Sequence, residues 1–282
     1  MLRIKSILIC LVLAVLVSGC SFRFIYNHLD WWTNWYLDDY ITLNEQQQKI
    51  FDEEFERLHL WHRETQLPLY LKQLNDIKLL INSEMSPEQV SNNLDQLLQH
   101  WQNFLIAAEP KLQPLAFGLS KSQKQQLLTA LTENNQDNID DYENLNDKDW
   151  HEERSDEQID QLKSWFGKLS SEQKAQVTKM SKKYQQSFMT RMAYRQRWSN
   201  EFAQLLNGDL PEHQFKFEFY RLFVNGRSLR DEQLNEITEN NSKVFAEIFV
   251  YMVSTISDKQ RKRINKKLNK VIGDLEYLMA HD

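Results

Sequence analysis

Residues 256–280 read ISDKQRKRINKKLNKVIGDLEYLMA. Ile264, Leu268, Val271, Ile272, Leu275, Leu278 and Met279 recur at i, i+4, i+7 and i+8, so on a helix they line one apolar stripe. The basic residues Lys259, Arg261, Lys262, Arg263, Lys266, Lys267 and Lys270 lie opposite that stripe. Ser257 followed three residues later by Gln260 is a capping box, in which each side chain satisfies the other residue's backbone N–H.

The same punctuation recurs upstream. It reads aliphatic, small polar, two variable residues, Gln. The copies are Leu43-Asn44…Gln47, Met85-Ser86…Gln89, Leu119-Ser120…Gln123 and Leu169-Ser170…Gln173, and Leu229…Gln233 is a degenerate one. Pro87 sits at the first helical position, where its missing N–H costs nothing. Helix capping accounts for the motif, and the irregular spacing of the copies argues against a solenoid. With only 6 Gly and 5 Pro, the chain favours helices over strands. The expected helices are 24–40, 44–82 with a kink near Pro68, 86–108, 120–133, 155–167, 170–206, 211–225, 229–254 and 257–280. The expected class is all-α: a multi-helix bundle of long amphipathic helices.

One stretch stands apart. Residues 133–158 carry eleven acids against two bases, Lys148 and Arg154, and few apolar residues. They read as a solvated acidic linker or hairpin tip between an N-terminal helical half, 24–132, and a C-terminal half, 159–282.

The N-terminus carries an address. Arg3 and Lys5 form a short positive region, and Ile7 to Val17 is an apolar run too short to span a bilayer comfortably. The run ends in Val17-Ser18-Gly19-Cys20, which resembles the lipobox of exported bacterial lipoproteins. The expectation is a signal peptide over 1–19, lipidation at Cys20, and a short anchor over 20–23 behind the domain. Ser21, rather than aspartate, points to the outer membrane, facing the periplasm. Cleavage removes Arg3 and Lys5, taking the formal charge from −6 to −8 and making nucleic acid an unfavourable partner. The two cysteines are Cys10 and Cys20, so the mature domain has no thiol for a disulfide, a nucleophile or a metal.

The stretches Phe24-Ile25-Tyr26-Asn27-His28-Leu29-Asp30-Trp31, Trp35-Tyr36-Leu37-Asp38-Asp39-Tyr40, Trp61-His62-Arg63 and Leu67-Pro68-Leu69-Tyr70 resemble a family of uncharacterised bacterial lipoproteins. Arg191, Arg195, Arg197 and Trp198 look like a second shared feature. The repeated capping motif is also similar to the L-T-x-x-Q motif of small periplasmic stress chaperones and adaptors. These resemblances imply a helical lipoprotein and supply no activity or catalytic residue.

Three constellations are candidate sites. The aromatic-acidic block places Trp31 and Trp35 on one helical face, with Asp38 and Asp39 following. It reads first as an N-terminal helix packed onto the bundle, and otherwise as a ligand surface or a membrane-interface belt. Glu56, His59 and His62 have metal-ligand spacing on one helix, but no matching second motif exists, so no metal or cofactor is expected. Arg191, Arg195 and Arg197 suit carboxylate or phosphate recognition, or internal ion pairs to Glu201 or Glu218.

No nucleophile elbow, zincin motif or phosphate-cradling loop is present. The chain thus reads as a membrane-tethered binding or scaffolding lipoprotein, not an enzyme, with an envelope protein as its partner. The alternatives are an envelope hydrolase using Asp30, Asp38 or Asp39, and a metal-binding bundle.

Overall fold

The computed structural model describes residues 19–142 and 147–281. The expected signal peptide lies outside them up to residue 18, and Cys20 falls in the first turn of the first described helix. Among the described residues there are helices and no strand. In chain order they are α1 (Gly19–Asn27), α2 (Leu29–Asp38), α3 (Glu45–Trp61), a π turn (His62–Gln66), α4 (Leu67–Ile81), α5 (Pro87–Phe117), α6 (Lys121–Tyr142), α7 (Asp147–Phe166), α8 (Ser171–Ser181), α9 (Phe188–Asn207), α10 (Glu212–Phe223), a 3-10 turn (Gly226–Leu229), α11 (Glu232–Thr255) and α12 (Asp258–Ala280).

The apolar stripes build three clusters. In the largest, Ile81 of α4 meets Ile159, Leu162 and Phe166 of α7, Ile248 and Met252 of α11, and Ile264 and Leu268 of α12. In the second, Phe202 and Leu206 of α9 and Phe215 and Phe219 of α10 pack against Leu112 of α5 and Leu128 of α6. The third joins Tyr26 of α1 to Leu67, Leu275 and Leu278. Residues from before and after the acidic stretch thus share all three cores.

All five capping boxes form. Four of them also pair. Gln47 and Gln123 exchange side-chain amide hydrogen bonds, and Gln123 Nε2 donates to Thr42 O at 2.9 Å. Gln173 and Gln260 do the same; Gln173 Nε2 donates to Thr255 O at 3.0 Å and Gln260 Nε2 to Lys168 O at 3.1 Å. Each glutamine thus caps its own helix through Oε1 and the end of a distant segment through Nε2. Glutamate can do the first task and not the second, which explains glutamine at these positions.

Several helix boundaries differ from the sequence reading. The expected helix 24–40 bends at His28 into α1 and α2. The irregularity expected near Pro68 sits one turn earlier: Leu67 N–H bonds to His62 O, five residues back. α5 continues past residue 108 to Phe117 with Pro110 and Pro114 inside it, because packing against α10 and α11 outweighs the lost backbone bonds. The helix expected over 170–206 breaks between Ser181 and Phe188. There Asn240 Nδ2 donates to Lys183 O, while Asn241 accepts from Gln185 N and donates to Gln185 O at 2.8 Å each. In place of the degenerate box, Asp231 caps α11 by accepting from Leu234 N at 2.8 Å. In the acidic stretch both flanks of residues 143–146 are helical. Within it Ser155 bonds Thr178 and Gln158 bonds Tyr184, at 3.1 Å each.

Candidate functional site

α1 and α2 follow Cys20 directly and behave oppositely. α1 is clamped. Tyr26 is buried, and its hydroxyl meets His62 Nδ1 at 2.9 Å. His62 Nε2 meets the Tyr70 hydroxyl at 3.1 Å, the Tyr70 ring stands edge-on to His100 at 4.7 Å, and His100 Nε2 meets Gln73 Oε1 at 3.0 Å. The π turn aligns this series by rotating His62 inward just before α4 begins. A second clamp is ionic: Arg23 Nε donates to Asp274 Oδ1 at 2.6 Å, and its guanidinium lies 4.0 Å over the Tyr277 ring. Arg63 adds bonds to Asn27 Oδ1 at 3.0 Å and to His281 O at 2.7 Å.

Burial sets the charge state of this polar core. It holds His62 down at about 4, with nearby His59 adding to the effect, and lowers His59 and His100. Burial also pushes Tyr26 up to about 12. The imidazoles are therefore neutral at neutral pH, and each His62 nitrogen exchanges one hydrogen bond with a tyrosine.

α2 is not packed in this way. None of its residues is buried. Trp31 is 59 % exposed, Trp35 41 % and Tyr36 50 %, and Phe24 on α1 is 61 % exposed. The helix is tethered by polar bonds: Asn34 Nδ2 to Asp52 Oδ1 at 3.2 Å and Gln48 Nε2 to Asn34 Oδ1 at 2.7 Å. Trp31, Trp32 and Trp35 instead pack edge-to-face on one another, at 4.8 and 6.1 Å between centroids. α2 rests on the bundle on one side, with Leu29 against the third cluster and Trp32 and Leu37 half-buried, while Trp31 and Trp35 stay exposed on the other.

The other candidate residues separate. Asp30, Asp38 and Asp39 are all exposed on this convex helix, so the buried acid beside Trp31 or Trp35 that a hydrolase needs is missing there. Glu56 is exposed while His59 and His62 lie inward, so the three do not converge, and no metal-sized group of His, Cys, Asp or Glu occurs among the described residues. Arg195 Nη2 bonds Asn134 Oδ1 at 2.9 Å; Arg197 bonds Leu229 O at 3.1 Å and Asp231 Oδ2 at 2.9 Å. They brace α9 to α6 and to the start of α11, and Arg191 is exposed. Glu201 and Glu218, their expected alternative partners, are held by Arg221. The sequence reading missed Arg23, His100 and Asp274, each an isolated residue with no motif around it, and saw Tyr70 only as part of the Leu67-Pro68-Leu69-Tyr70 block, with no partner assigned.

Comparison with known proteins adds the family and nothing finer. No curated protein and no solved structure matches the chain. A family of unknown function (DUF6279) matches residues 39–225, starting just after α2 and covering more than half of the chain. The chain belongs to that family.

Proposed function

We propose that this protein is a lipid-anchored, periplasm-facing protein of the bacterial envelope that binds or scaffolds an envelope protein through the aromatic face of α1 and α2. The observation that carries the reading is the pairing of a clamped α1 with an uncovered α2 directly behind Cys20. Phe24, Trp31, Trp35 and Tyr36 present large apolar area with polar edges, and Trp and Tyr dominate binding energy at protein interfaces. A rigid clamp beneath them limits the ordering cost on binding. The lipobox and the preceding apolar run support the tether.

The test is crosslinking in intact cells with three chains: the parent, Cys20→Ala, and Trp31→Ala/Trp35→Ala. Mass spectrometry of the purified parent reads acylation at Cys20. A reproducible protein partner that is lost in the double tryptophan variant, while acylation and membrane fractionation persist, supports the reading. An unacylated Cys20, or a partner set indifferent to both tryptophans, refutes it.

A further inference from the structure

The basic run of α12 is built against its own helix. Lys259/Arg263, Lys262/Lys266, Arg263/Lys267 and Lys266/Lys270 are like-charge pairs one turn apart, each destabilising an isolated helix. The run occupies the N-terminal half of α12, the positive end of the helix dipole, where cations are further disfavoured. Asp258 is the only acid of α12 before Asp274.

Elsewhere in this acid-rich chain some bases are ion-paired, among them Lys72, Lys111, Lys163, Lys183, Arg197 and Arg221, and the other bases are scattered rather than gathered on one face. Among the described residues, Lys259, Lys262, Arg263 and Lys266 make no ion pair, and all four are exposed. An ordinary solvated face mixes signs; this one holds uncompensated cations on a protein of net charge −6.

The shape is that of a landing surface. Asp258, Arg261, Lys262, Asn265, Lys266 and Asn269 line a shallow, open hollow of about 480 Å³ along one helix, three cations against one acid. Exposed Trp165 lies beside the run under Lys267, with the ammonium 5.5 Å from its ring, and Tyr277 is exposed further along α12. Aromatic rings beside lysines are the pattern of a membrane–water interface.

The position names the anion. Arg23 of α1, three residues from Cys20, is clamped to Asp274 and Tyr277 near the other end of the same helix. At 1.5 Å per residue, Lys266 lies about 12 Å and Lys259 about 22 Å along the axis from that clamp. A bilayer holding the Cys20 lipid lies within that reach.

We infer that the Lys259, Lys262, Arg263 and Lys266 face of α12 docks on an anionic phospholipid surface and sets how the domain lies on its membrane. The inference rests on the lipid tether of the proposed function. Each cation near an anionic bilayer adds about fivefold to the docked population, so three lysines together contribute about 100-fold.

The test uses the full chain, purified from membranes and reconstituted in vesicles of phosphatidylcholine alone or with phosphatidylglycerol at about a third of the lipid, enough for a strong negative surface potential. Gly273→Cys carries an environment-sensitive dye, because a Cβ at Gly273 meets nothing within 4 Å. The expected result is an emission shift to shorter wavelength only with phosphatidylglycerol. It reverses at about 1 M salt, where the screening length is about 3 Å. Lys259→Gln/Lys262→Gln/Lys266→Gln abolishes it with an unchanged or raised Tm, since the variant relieves repulsion within α12. Equal emission in both vesicles, a shift that survives in the triple variant, or a shift produced by a soluble anionic glycan and not by the vesicles overturns the inference. More than one dye per chain shows Cys10 or Cys20 still free, which is failure of the tether alone. The dye measurement is then repeated in a Cys10→Ser/Cys20→Ser background with added vesicles, and the same outcomes decide.

Discussion

Gln173→Glu separates the two tasks of the paired glutamines. Glutamate keeps the capping box of α8, since a carboxylate still accepts from Ser170 N, now 3.0 Å from Gln173 Oε1. It also still accepts from Gln260 Nε2. It cannot donate, so Thr255 O and Gln260 Oε1 lose the amide they now receive at 3.0 and 3.3 Å. Gln173 is only 4 % exposed, so water does not replace that donor. Gln260 Oε1 keeps Ser257 N at 2.9 Å, so Thr255 O alone is left unsatisfied, at about 1–3 kcal/mol. The favourable field of the α8 N-terminus returns about 0.5–1 kcal/mol to the new charge. The net expected loss is about 1–2 kcal/mol at pH 7. Gln89→Glu is the control: Gln89 forms the same box with Ser86, at 2.9 and 3.2 Å, but is exposed and pairs with no second glutamine. It is expected to lie within about 0.5 kcal/mol of the parent. The assay is urea unfolding followed by helical circular dichroism. Burial raises the pKa of the introduced carboxyl, so its penalty is present at neutral pH and shrinks as pH falls toward the ordinary glutamate value of about 4.3. Equal stability of the two variants at pH 7 would refute the reasoning.

Two further outcomes follow from the α1 clamp and one from α2. Arg23→Ala leaves Asp274, with a side chain 4 % exposed, as an unpaired buried charge; a loss of about 3 kcal/mol and faster proteolysis within α1 are expected, both smaller in Arg23→Ala/Asp274→Asn. His62 is held at about 4, below its unfolded value of about 6.5, so its contribution is complete above pH 6.5 and is lost as pH falls from there to 4. That shift corresponds to about 3 kcal/mol, trimmed to about 2 by the solvent that reaches the half-buried ring. Unfolding measured over this pH range should be less steep in His62→Gln than in the parent, and identical slopes would disprove the assignment. Trp31→Ala/Trp35→Ala should change Tm-derived stability by less than about 0.5 kcal/mol, because both rings are exposed and the Leu29 contact of α2 with the core is left in place; a loss above about 2 kcal/mol would show both tryptophans to be packing.

What could be read in advance was local. Ser257 with Gln260 and the Ile264–Met279 stripe specify α12 within one turn's chemistry, and the structure follows them. The break between Ser181 and Phe188 was hidden because Asn240 and Asn241, 57 and 56 residues away, hold it open. α5 runs through Pro110, past the expected end at 108, because the tertiary packing that outweighs the proline's local cost is not visible in the sequence. The aromatic block was visible by composition, but its exposure depends on how few residues α3 sets against it. The Tyr26–His62–Tyr70 series joins residues 36 and 8 positions apart with no shared motif, so spacing alone could not assemble it.

The crossed glutamines also shape how the chain reaches its fold. Helix ends ordinarily fray, and their first amides exchange with solvent long before the molecule opens. Here the N-termini of α3 and α6 close over 76 residues, and those of α8 and α12 over 87. Bringing together ends so far apart costs about 4 kcal/mol of loop entropy before the contact rewards it. A helix made early therefore waits with half its cap unfilled until its distant counterpart arrives. These four starting turns are expected to exchange more slowly than the single-capped start of α5, and a chain cut between the partners of one pair leaves the other pair closed.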